Sequence, residues 1–162
     1  MRNYRNWIWL GVIVYSILVG IMCFIPQPQL ISGVETPGIQ HFGRVVVLLI
    51  PFNSLVNLGQ VDSLRELVWV FLQNGMNIFL IFPLIFQLLY LVPALRQTKR
   101  VILLSFAISL GIESTQVILD LLINANRVFE IDDLWTNTLG GYLAWKLYQF
   151  LSTFKLAQLS EE

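Results

Sequence analysis

Four polar residues interrupt an otherwise apolar run of this chain: Ser109, Glu113, Gln116 and Asp120, at intervals of four, three and four. On a helix those intervals place all four on one face. Glu113 lies about ten residues from the outer end of the run, roughly 15 Å deep at the helical rise per residue. An ionisable group that far into hydrocarbon costs several kcal/mol unless it is protonated, paired or wetted. Glu113 is therefore expected to face a bundle interior, a cavity or a partner such as Arg127. The chemistry open to it there is proton transfer or the holding of a ligand or ion.

Other polar groups can converge on the same end. The preceding apolar run brings Asn77, with Asn74, and a short polar connection brings Arg127. The last run opens with Asp132 and Asp133, and Asp133 shares a helical face with Asn137. Asn53, in a long earlier connection, is a further candidate. The set Asn53, Asn77, Ser109, Glu113, Gln116, Arg127, Asp132, Asp133 and Asn137 admits two readings. It is either a hydrogen-bond network that holds helices in register or a ligand, ion or substrate site open to the outer side. A carboxylate at depth is a costly device for mere packing, which favours the site. His41, the only histidine, falls in an irregular loop, where a surface role is expected rather than metal ligation. Asp132 and Asp133 have the oxygen ligands a divalent cation takes, but adjacent carboxylates at a helix start are more often caps. No Gly-rich phosphate loop, nucleophile elbow or Cys/His zinc spacing is present. No metal and no cofactor are expected, and no catalytic residue is assigned.

The elements that must position these residues follow from composition and length. Of 162 residues 56% are hydrophobic and 12% charged, with a mean hydropathy of +0.70. Soluble domains carry about 25% charged residues, so the bilayer is the expected solvent. Formal net charge is +0 and the basic residues form no cluster, which argues against nucleic acid as a partner. Residues 7–25, 76–92, 101–123 and 134–151 are each near the twenty or so apolar residues that a helix needs to cross. The expected fold is all-α: one membrane domain over residues 1–162, a bundle of four transmembrane helices, with an outside loop over 26–75. Span 7–25 lacks a small-x-small cleavage pattern, so an uncleaved anchor is expected rather than a signal peptide.

Charge placement orients the bundle. Arg2, Arg5, Arg96, Lys99, Arg100, Lys146 and Lys155 fall on one side and only Arg44, Arg65 and Arg127 on the other. The richer side is cytoplasmic by the positive-inside rule, giving both termini inside. The stretch 26–38 is broken by prolines and glycines and reads as irregular. Residues 45–50 are apolar but too short to span, and are expected to dip into the interface or lie on the bundle. Ser63 and Glu66 have capping-box spacing; a helix starting there either lies along the surface or runs into the second span. Gly140 and Ala144 make a small-xxx-small pair suited to close helix approach.

In their order along the chain, several of these motifs resemble the VanZ-like family of bacterial membrane proteins. The resemblance rests on Arg44 with Ile50-Pro51-Phe52-Asn53, then Asn77 through Pro83. Next come Ser109-x-x-x-Glu113-x-x-Gln116, Arg127, Asp132-Asp133 and Asn137-Thr138-Leu139-Gly140-Gly141. It covers roughly residues 44–147. Where the family often has Gly before the loop arginine, this chain has Asn126; where Gly often follows the second-span proline, it has Leu84 and Ile85. The resemblance implies a multi-pass protein of the bacterial plasma membrane acting at the outer face of the envelope. It also implies lowered susceptibility to teicoplanin-type glycopeptides, through a lipid-linked cell-wall precursor or the antibiotic itself as partner, besides membrane lipids. Two other functions compete: a membrane-embedded enzyme acting on a lipid-linked substrate with Glu113 or Asp133 as acid or base, and a small ion- or proton-coupled carrier using Glu113.

Overall fold

The structure, a computed structural model, describes residues 2–27, 38–56 and 64–160. The proline-broken stretch through residue 37 and the expected N-cap Ser63 lie outside the described residues. Four long helices carry the fold: α1 (Arg2–Phe24), α3 (Leu64–Leu91), α4 (Thr98–Ile123) and α5 (Ile131–Ser160). A short helix α2 (Asn53–Val56) and three strands, β1 (Gln40–Phe42), β2 (Val45–Leu48) and β3 (Val128–Glu130), lie between them. The bundle is thus mainly helical but not all-α. The apolar stretch at 45–50, expected to dip into the interface or lie on the bundle, holds a strand, because its β-branched valines pair on both sides.

Three helices are long and apolar enough to cross a membrane, over Asn3–Phe24, Phe71–Leu91 and Thr98–Ile123. α1 buries Val12, Val19 and Cys23 along one stripe and leaves Leu10, Ile13, Ile17 and Ile21 exposed. Such an apolar outer face suits lipid, not water. The Tyr15 hydroxyl on the buried stripe donates to the Leu80 carbonyl at 2.9 Å, fixing α1 on α3. α3 is one continuous helix from residue 64, so the segment 64–72 runs straight into the second span. It ends at Pro93, where the Arg96 Nε donates to the Leu89 carbonyl at 2.9 Å and satisfies one of the orphan acceptors of the helix end.

α5 packs chiefly on α3 and α4. Gly140 allows this: a Cβ there would overlap the Ile78 carbonyl oxygen. The core beside it joins Ile81, Ile85 and Leu89 of α3 to Val101 and Ile112 of α4 and Ala144 and Trp145 of α5. α5 is 30 residues long and carries Asp132 and Asp133 in its first turn.

The sheet has the order β1-β2-β3. β1 and β2 form a hairpin around Gly43, whose φ of +64 a glycine accepts without strain. β2 and β3 run parallel, pairing Val46 with Val128 and Leu48 with Glu130. This arrangement changes the depth of everything that follows. After α4 ends at the left-handed cap Asn124 (φ 54), the chain doubles back along α4. The Arg127 N–H bonds Asp120 at 2.9 Å, the Glu130 N–H bonds Glu113 at 3.0 Å, and Ser109 bonds the Asp133 carbonyl at 3.0 Å. β3 therefore runs back beside the last half of α4, and α5 begins level with Glu113. Its strand partner β2 satisfies backbone that the bilayer could not. Asp132 and Asp133, which open α5, are thereby set about ten residues below the end of α4.

Candidate functional site

Retracing by β3 gathers three carboxylates from three elements. Glu113 on α4 is 1% exposed and accepts the Glu130 N–H through Oε2. Asp133 opens α5 and accepts Nδ2 of Asn77 from α3 through Oδ1. Glu130, the last residue of β3, faces Asp133 and Asp132, and Asp133 in turn faces Glu113. Below them Asn137 donates from Nδ2 to the Ser109 hydroxyl at 3.0 Å, which donates on to the Asp133 carbonyl. The column continues inward to Ser105, which like Ser109 is fully buried.

Energetics separate a site from simple glue. A hydrogen bond to a charged group contributes about 1.5–3 kcal/mol, while each ion taken from water costs several kcal/mol. Among the described residues no cationic side chain bonds Glu113, Glu130 or Asp133. Among these residues the hydrogen bonds alone do not offset the burial of three charges.

The nine residues expected from sequence divide by role. Asn77, Ser109, Glu113, Asp133 and Asn137 form the cluster. Gln116 reaches past it to the Cys23 carbonyl at 3.1 Å. Arg127 is not the partner of Glu113: its guanidinium donates to the carbonyls of Met22 and Ile25 at 2.8 and 2.6 Å, capping α1. Position 127 lies level with Asp120, one to two turns above Glu113, which is why the two do not meet. Asp132 accepts the Phe52 N–H at 2.7 Å and the Trp135 indole N–H at 2.9 Å. It thereby ties the loop after β2 to α5, and Asn53, buried at the start of α2, follows directly.

Sequence reading missed Glu130 as a site residue and the ring pair Phe52–Trp135, whose centroids lie 5.2 Å apart. The only local signal for Glu130 was its place two residues before Asp132 in an apolar setting. Phe52 takes φ 57, a left-handed backbone rare for an aromatic residue, held by its bond to Asp132.

Three apolar spans and a polar cluster enclosed at one end of the bundle are the features of a membrane protein. The family model for VanZ/LLP1 matches residues 12–152, and the chain belongs to that family. No curated protein and no solved structure matches it.

Proposed function

We propose that this is a four-span protein of the bacterial plasma membrane, both termini cytoplasmic, that acts at the outer face of the envelope. Its carboxylate cluster binds a lipid-linked cell-wall precursor or a glycopeptide, lowering susceptibility to antibiotics of the teicoplanin type. Family membership supports the setting, and the asymmetry of the basic residues supports the orientation. The observation that carries the reading is the cluster itself: Glu113, Glu130 and Asp133 converge from α4, β3 and α5 with no cation to neutralise them among the described residues. A second reading, an enzyme on a lipid-linked substrate, is favoured by the fixed placement of two carboxyls, Glu113 by a backbone N–H and Asp133 by an amide.

The test is growth of a susceptible bacterium expressing the wild type, Glu113→Gln, Asp133→Asn or Gln116→Ala, with membrane levels matched. Wild type should raise the teicoplanin concentration that stops growth, the two carboxylate variants should lose about tenfold of any gain, and Gln116→Ala should keep most of it. A wild type without effect sinks the resistance reading.

A further inference from the structure

Resting on the outer-site reading for its location but not for its biology, we propose that the group the cluster takes from its ligand is a primary ammonium. Glu113 accepts the Glu130 N–H through Oε2, and Asp133 accepts Nδ2 of Asn77 through Oδ1. Glu130 adds its carboxyl. Asn137 supplies an independent sign of a missing partner: it is 1% exposed, its Nδ2 is given to Ser109, and its Oδ1 has no hydrogen-bond partner. That oxygen sits in the polar column one turn from Asp133. Buried acceptors are almost always satisfied, so an unspent amide oxygen beside carboxylates marks the place of a donor.

Ser105 Oγ, one turn further in, has no partner among the described residues, but the donors around the carboxylates are committed. Asn77 and the Ser109 hydroxyl both bond Asp133, and the Glu130 N–H bonds Glu113. What the set lacks is a group that brings both N–H donors and positive charge. A phosphate or carboxylate would bring like charge into a half-buried site, which costs several kcal/mol. Between cations, the geometry favours an organic one. Among the described residues no three histidines, cysteines or carboxylates are arranged to hold a metal ion. The tilted rings of Phe52 and Trp135 stand beside Asp132, and both residues donate to its Oδ1. Aromatic faces attract ammonium groups, and three N–H donors on one nitrogen match Glu113, Asp133 and Asn137 in number.

Such an ammonium has two sources within reach of the outer leaflet: an aminolipid headgroup, or a free amine on a wall precursor or antibiotic. The test uses the full chain in lipid nanodiscs at about pH 8, with n-butylammonium as probe and tetramethylammonium, magnesium and butyrate as comparisons. Binding is read by calorimetry and by tryptophan fluorescence. Butylammonium is expected to bind, about tenfold more weakly in Asp133→Asn and Glu113→Gln and a few-fold more weakly in Phe52→Leu. Circular dichroism checks that each variant is folded, and Phe52→Leu, at an exposed position, keeps the test open if a carboxylate variant fails to fold. Replacing phosphatidylcholine by phosphatidylethanolamine weakens the probe by competition if the source is a headgroup and leaves it unchanged if the source is a soluble or wall-linked amine. Absence of butylammonium binding, equal affinity in folded Asp133→Asn, or magnesium binding in its place overturns the proposal. Cluster-dependent teicoplanin tolerance without butylammonium binding overturns the ammonium and leaves the outer site. Butylammonium binding without tolerance keeps the ammonium and overturns the resistance reading.

Discussion

Glu130 sits where β3 turns into α5, with its N–H given to Glu113 and its carboxyl withdrawn from water. Glu113 faces it from α4, and β2 brings Val46, Val47 and Leu48 to this edge. Glu130→Gln removes the carboxyl and keeps its backbone bond to Glu113. A buried carboxylate costs stability when it is charged, so the variant should melt a few degrees above wild type at about pH 8 and match it at about pH 4. Thermal unfolding in detergent, followed by circular dichroism, checks this; a difference of the same size at both pH values would mean that the charge of Glu130 is not its cause.

At the scale of elements, the contact of α3 with α5 sets the cluster, because Asn77 must reach Asp133 about two turns before Gly140 meets Ile78 on α5. Gly140→Ala forces a Cβ into the Ile78 carbonyl, a backbone atom that cannot turn aside. The expected cost is about 2 kcal/mol or more, read as a lower melting temperature and less folded protein. Gly75→Ala on α3, where an added Cβ meets nothing within 4 Å, should cost nothing. Helices of this kind were legible in the sequence, since period and length carry the signal, and so was the shared face of Ser109 and Glu113. The strands were not. β3 is only three residues long, and its partner lies at residues 46–48, far back in the chain. A parallel pairing across that separation leaves no local pattern, so the apolar 45–50 stretch read as an interfacial segment. The doubling back that sinks Asp132 and Asp133 to the level of Glu113 depends on that pairing, and without it Arg127 stood among the possible partners of Glu113.

For the whole molecule, the retracing explains why α5 differs from the other three long helices. Starting level with Glu113, it needs only about fifteen residues to reach the level of Thr98. The ring of Tyr148 lies under Arg96, 5.1 Å from the guanidinium, which places that part of α5 at the turn joining α3 and α4. In the proposed orientation the sheet lies outside, and both the 93–97 turn and the end of α5 lie inside, with the cluster opening outward. Cysteine labelling in intact cells tests this directly. In a Cys23→Ala background, His41→Cys in β1, Gln97→Cys in the turn and Thr153→Cys late in α5 each offer an exposed position. A membrane-impermeant maleimide should label position 41 in intact cells, and positions 97 and 153 only after the membrane is opened. Labelling of position 153 from outside, or of 41 only from inside, would contradict the four crossings and put the carboxylate cluster out of reach of any outer-face ligand.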